Sequence, residues 1–175
     1  MIIFLNLKEE LKRDLFKELY FEIPLKNLDL PENYIFSDEE KIPVHINLLK
    51  DKDGYIITIS VDTSIKMCCD RCLIEFPQKF VFSESVLFTK KMPKHSELSE
   101  EELFTEYLED EEKFNLNEFV REEILVNTPM KVLCKEDCKG LCPFCGIDKN
   151  IESCDCEKKY LRETSPFSKL QKLLK

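Results

Sequence analysis

Three observations predict an α+β fold: a mainly antiparallel β-sheet or partly open barrel, a few helices, and a cysteine-rich C-terminal tail. Alternating apolar and polar runs, rich in β-branched residues, occupy the first half of the chain. An amphipathic stretch of helical period follows them. Six of the nine cysteines then crowd into the 23 positions from Cys134 to Cys156.

Taken in order, Ile2 to Leu7 is a candidate strand. Leu11, Leu15, Leu19 and Ile23 have the spacing of a helix, whereas Lys17, Leu19, Phe21 and Ile23 alternate as a strand does, so both assignments stand for this segment. Val44 to Leu48 and Tyr55 to Val61 read as two strands joined by a turn at Asp53-Gly54, and Phe80 to Phe88 as a third. Leu116, Phe119, Val120 and Ile124 share a helical face, capped by Asn115 or Asn117 and stopped before Pro129. A last helix is expected from Ser165-Pro166, with Phe167, Leu170 and Leu174 on one side.

Length and charge narrow the function classes. At 175 residues the chain is one domain plus an appendage. We place an α+β core at 1–131 and a metal-binding tail with a terminal helix at 132–175, packed on the core, since some 40 residues rarely fold without a metal. The net charge of −9 repels nucleic acid and anionic membrane in bulk. It is unevenly spread, with a net −10 over 97–123 and +3 over 130–175. The acidic stretch, about 96–113, reads as a solvated excursion in which Leu98, Leu103, Phe104 and Leu108 anchor one face. Three glycines leave no Gly-rich phosphate or dinucleotide loop, so no nucleotide cofactor is expected. No apolar run spans a bilayer, and a cytoplasmic chain without membrane contact is expected.

Nine cysteines in a reducing compartment point to metal rather than disulfides. Cys142-Pro-Phe-Cys145-Gly146 is a knuckle in which two thiolates flank a tight turn and Gly146 lets the chain curl back toward the sulfurs. Cys154 and Cys156 would complete a tetrahedral zinc site. Cys69-Asp-Arg-Cys72 is a second C-x-x-C, at the bend between two strands. With Cys134 and Cys138 it would make a second zinc site, clipping the tail to the sheet across about 60 residues and leaving Cys68 free. Alternatively, one metal takes four of the six tail cysteines and Cys69 and Cys72 remain an inert pair.

Rival chemistries are weaker. Cys138, Cys142 and Cys145 have the radical S-adenosylmethionine spacing, but that chemistry needs a large downstream barrel and only 30 residues follow Cys145. A thiol-disulfide site at Cys69 and Cys72 calls for a βαβ context, whereas strands flank it here. His45, an outward strand residue, and His95, in a loop, lie away from the cysteines, so no catalytic residue is assigned. Arg71, between two cysteines, is a candidate for pairing with thiolates or a phosphate. Lys135 and Lys139 belong to a locally basic tail, whose charge the −2 of a zinc held by four thiolates would largely cancel.

Cys69-Asp-Arg-Cys72-Leu73, Ile124-Leu125 with Thr128-Pro129, Leu133-Cys134, Cys138-Lys-Gly-Leu-Cys142-Pro-x-Cys145-Gly146, Asn150, Cys154-x-Cys156 and Pro166-Phe-x-x-Leu170 together resemble the YceD family of large ribosomal RNA subunit accumulation proteins. The likeness runs from about Val44 to Leu174. It implies a cytosolic, non-enzymatic factor for processing or accumulation of large-subunit (23S) ribosomal RNA. A zinc-fixed tail would present Arg71, Lys135 and Lys139 to that RNA, its precursor or a ribosomal protein. The acidic segment would suit a basic ribosomal protein. The alternative is a thiol-disulfide or metal-handling protein working through Cys69 and Cys72.

Overall fold

The computed structural model describes residues 2–90 and 105–164, with the backbone alone at 162 and 163. His95, the first half of the acidic stretch and the helix expected from Ser165 lie outside the described residues. The chain divides into two compact units, one of residues 1–67 and 77–130, the other of 68–76 and 131–175.

The first unit is built on a sheet. After β1 (Phe4–Leu5) and a single helical turn, α1 (Leu7–Glu10), come β2 (Phe16–Pro24), β3 (Tyr34–Ile35), β4 (Lys41–Lys50), β5 (Gly54–Cys68), β6 (Glu75–Thr89), β7 (Thr105–Tyr107) and β8 (Phe114–Asn115). Helix α2 (Leu116–Val126) completes this unit. The main sheet has the order β2-β4-β5-β6-β7, with β3 paired to β5, while β1 and β8 form a separate antiparallel pair. The sheet is mixed, with most pairs antiparallel and β6-β7 parallel, and no closed barrel forms among the described residues.

Strand pairing decides the ambiguous N-terminal segment. β2 pairs along its whole length with β4, from Phe16↔Leu49 to Pro24↔Lys41, as the edge strand of the sheet, so the ladder takes up the backbone groups that face β4 and the four-residue spacing of leucines carries no helix. The expected first strand shrinks to Phe4–Leu5 because Asn6 caps α1, its side chain accepting from the Glu9 amide. Helix α2 starts as its sequence requires, the Asn115 side chain accepting from the Glu118 amide at 3.3 Å.

Alternation sorts the sheet into two faces. Val44, Ile46 and Leu48 of β4 and Ile57, Ile59 and Val61 of β5 are buried on the inner face. Phe88 on β6, Phe114 on β8 and Phe119 on α2 meet edge to face with centroids 5.0 to 5.6 Å apart, which holds α2 against this side. On the outer face Tyr20 stacks on His45 at 4.3 Å, and Thr58–Ser85 and Ser60–Ser83 bridge β5 to β6 at 2.8 Å each. A shallow concavity of about 780 Å³ runs along it, lined in part by Tyr20, His45, Ser60 and Val81.

The described half of the acidic stretch is tied into this unit. Thr105–Tyr107 adds to the sheet as β7, Leu108 is buried, and its amide donates to the Thr89 carbonyl at 2.8 Å. Glu111 accepts from the Tyr55 hydroxyl at 2.9 Å and pairs with Lys90 at 3.0 Å. Like charge is tolerated here because Glu109, Asp110 and Glu112 are exposed and half-buried Glu111 is neutralised by Lys90, while Leu108 and Phe114 supply the anchors.

Candidate metal centres

The second unit joins the end of β5, the turn and the start of β6 to the C-terminal segment, which ends among the described residues in helix α3 (Cys156–Thr164). It brings eight cysteines together as two quartets. Cys69, Cys72, Cys134 and Cys138 form one and Cys142, Cys145, Cys154 and Cys156 the other, the four sulfurs of each lying within 4.8 Å of one another. Of the partitions that the spacing allows, the fold thus assembles the one with four and four. Cys68 joins neither, and its thiol faces the Leu73 carbonyl at 3.4 Å.

The first quartet is enclosed. Cys69, Cys72 and Cys138 are buried, and Phe76, Leu133 and Leu141 pack around them. Cys69 and Cys138 sulfurs lie 3.8 Å apart, those of Cys72 and Cys134 3.6 Å. Asp70 fixes the two segments to each other: its amide donates to the Val132 carbonyl at 2.9 Å and its carboxylate accepts from the Val132 amide at 2.7 Å. The second quartet is more open, with Cys145 exposed and Cys154 and Cys156 half-buried. The Phe144 and Tyr160 rings meet beside it at a tilt of 36°, centroids 4.9 Å apart.

Backbone amides prepare one sulfur in each quartet. Burial raises the Cys69 thiol, but the amides of Cys134, Cys72 and Arg71 outweigh it and bring it down to about 6. The amides of Cys145 and Phe144 likewise bring Cys142 down to about 6. The opposite holds for a partner in each group. Burial first, then the thiols of Cys69, Cys134 and Cys138, push Cys72 up to about 12, and hydrogen bonding with the Cys145 thiol, then burial, does the same for Cys156. Four thiolates at this range repel unless a cation sits among them, so each quartet has the charge logic of a metal ligand set. All-sulfur donors with no open position fit a soft, tetrahedral, structural ion.

The basic candidates stand around the first quartet. Arg71 donates from Nη1 to the Cys138 carbonyl at 2.8 Å, and its own carbonyl accepts from the Leu141 amide at 2.9 Å. The Lys135 ammonium lies 4.0 Å from the Asp137 carboxylate, and the Lys139 amide donates to the Asn150 Oδ1 at 2.9 Å. Two supporting residues were given no role by sequence reasoning. Asn150 supports the first quartet, its Nδ2 reaching both the Cys138 sulfur at 3.5 Å and the Asp148 carboxylate at 2.7 Å, and Asp70 makes the clasp already described. The available signal was an Asx residue beside a knuckle, the residue type that bonds to nearby backbone.

Among the described residues no helix is long and apolar enough to cross a membrane. No curated protein and no solved structure shows a significant match to the chain. A family model described as large ribosomal RNA subunit accumulation protein YceD matches residues 57–174. That span covers about two thirds of the sequence and holds all eight clustered cysteines, and the chain belongs to the YceD family.

Proposed function

We propose that this protein is a non-enzymatic, cytoplasmic factor for accumulation and processing of large-subunit (23S) ribosomal RNA, carrying two structural zinc ions. The observation that carries the reading is the family match over 57–174. Cys69, Cys72, Cys134 and Cys138 would hold one zinc and Cys142, Cys145, Cys154 and Cys156 the other, which supplies rigidity rather than chemistry. The partner is the ribosomal RNA, its precursor or a basic ribosomal protein, and Arg71, Lys135 and Lys139 are the contacts put forward on this unit. Crosslinking in living cells with sequencing of attached RNA and identification of co-purifying proteins tests this. Enrichment of neither large-subunit RNA nor its proteins overturns it.

The rival reading, a thiol-disulfide protein working through Cys69 and Cys72, is disfavoured by the surroundings of that pair. Each of its sulfurs lies within 4 Å of a third or fourth cysteine. Ligand thiols resist alkylation until a chelator is added, whereas a redox pair offers one fast thiol without it. Elemental analysis should give two zinc per chain, and a metal-free protein that keeps its fold would sink the assignment.

A further inference from the structure

Two bonds just past the ends of β2 fix which of its backbone groups face β4. The Lys50 amide donates to the Leu15 carbonyl at 2.8 Å, and the Leu25 amide to the Glu40 carbonyl at 3.0 Å. Both pairs continue the register of β2 with β4, so its hydrogen-bonded pairs fall at Lys17, Leu19, Phe21 and Ile23. The amides and carbonyls of Phe16, Glu18, Tyr20 and Glu22 therefore point away from the sheet, and no described residue bonds to them. The opposite edge, β7, is three residues long. An edge of nine residues without a bulge, with proline only at its last position, is a template for another strand.

Charge decides what pairs with it. The side chains of Phe16, Glu18, Tyr20 and Glu22 share the outer face and are all exposed. On this face Glu18, Glu22 and Asp62 stand against Lys41, 3.6 Å from Glu22, and His45, 4.0 Å from Glu18. Neither contact is a close, enclosed pair, so both glutamates stay open to a further cation. The other cations near β2 lie elsewhere: Lys17 pairs with Glu10 on the inner face, and Lys12, Arg13, Lys26 and Lys50 fall beyond the strand's ends. A second copy of this chain is a poor occupant. Antiparallel self-pairing centred on Glu18 or Tyr20 sets glutamate opposite glutamate, and centred on Leu19 it leaves each Glu18 diagonal to two glutamates of the copy. We infer that an extended, basic segment of a partner protein adds to the sheet along β2, with lysine or arginine opposite Glu18 and Glu22 and an apolar residue between them opposite Tyr20. An RNA strand would bring phosphates to the same carboxylates. That the segment belongs to a basic protein of the large subunit rests on the function proposed above.

The test titrates the zinc-loaded full-length protein with a fluorescent peptide of alternating threonine and valine, with leucine at its centre and lysine two places to either side. Its counterpart carries glutamate at both lysines. The lysine peptide is expected to bind at least about tenfold more tightly. Residue-resolved amide exchange should be fast at Phe16, Glu18, Tyr20 and Glu22 in the free protein and slow with the lysine peptide, while Lys17, Leu19 and Phe21 are slow in both. Tyr20→Pro removes an amide that β4 does not use and should abolish binding, whereas Tyr20→Thr keeps it within about threefold. Glu18→Lys combined with Glu22→Lys should invert the preference between the peptides. Equal binding of the two peptides, protection of the four amides without peptide, or equal affinity in the two Tyr20 variants overturns the inference. Position 18 is then given a photoreactive amino acid and exposed to the total protein of purified large ribosomal subunits. No adduct, with the peptide still bound, leaves the edge site standing and removes the large-subunit protein as its partner.

Discussion

The two cysteine quartets share a knuckle and differ in almost everything else. The first draws its ligands from two segments about 60 residues apart and buries three of its four sulfurs. The second is local, within 142–156, and exposes Cys145. Treated as crosslinks, loops of about 60 and about 15 residues differ in closure entropy by only about 1 kcal/mol, roughly 4 against 3. Chain entropy therefore does not separate them. Burial does, because an unliganded sulfur in the first quartet leaves a packed interior without its centre.

The largest effect should come from breaking that contrast directly. Cys138→Ser is expected to lose the first metal and, with it, the protease resistance of both 68–76 and 131–175, a cost of several kcal/mol. Cys145→Ser should lower bound zinc by one and open only 142–156. Zinc content together with the positions of proteolytic cuts separates the two. Equal damage from both substitutions would mean that the quartets form one cooperative block.

Two left-handed glycines sharpen the same contrast with a smaller effect. At Gly140 (φ +70°) a Cβ would lie 2.8 Å from the Arg71 carbonyl oxygen, the group that holds the first knuckle to the tail, so Gly140→Ala should cost about 3 kcal/mol. At Gly146 (φ +74°) a Cβ meets nothing within 4 Å, and Gly146→Ala should cost only the backbone preference, about 1 kcal/mol. Chemical denaturation of the two zinc-loaded variants measures the difference. Equal losses would show that packing against Arg71 contributes nothing.

The sequence carried these features unequally. Spacing left the grouping of the cysteines open between four and four and a single site on the tail, and only the fold, which brings 69–72 to 134–138, assembles the former, whereas the tight turn at Cys142–Cys145 was signalled openly by Gly146. Leu73, whose φ of +59° follows Cys72 as Gly146 follows Cys145, has no such signal, since nothing in a leucine announces a positive φ. The turn at 53–54, the hairpin of β4 and β5 and the Asn115 cap were readable from local chemistry. β2 was not, because only pairing with β4 distinguishes it from a leucine-spaced helix. β7 was hidden by its acidic neighbours, and its parallel pairing with β6 depends on a chain return that no local pattern encodes. Helix α3 begins inside the second quartet at Cys156, and its large apolar residues, Tyr160 and Leu161, are adjacent rather than three or four apart, so no helical period marks it.

The smallest predicted effect compares the metal-type unit with the sheet unit, which holds no cysteine quartet among its described residues. Glu111 is kept below the usual carboxylate range by hydrogen bonds from Lys90 and then Tyr55, against the opposing effect of burial. A depressed carboxylate contributes stability that is complete above its unfolded value of about 4.3 and is lost as pH falls through the lower native value. Tyr55, pushed up to about 12 chiefly by burial, stays neutral across that range and adds no acid dependence. Glu111→Gln should therefore lower stability by about 1 kcal/mol or less at pH 7, and the gap from wild type should close toward pH 3. Comparing the two proteins at each pH cancels the acid release of metal, which both share. Chelator sensitivity should be the same in both, because Glu111, Lys90 and Tyr55 all lie in the sheet unit. A pH-independent gap would mean that Glu111 acts through packing alone, and a changed chelator response would mean that the two units do not unfold separately.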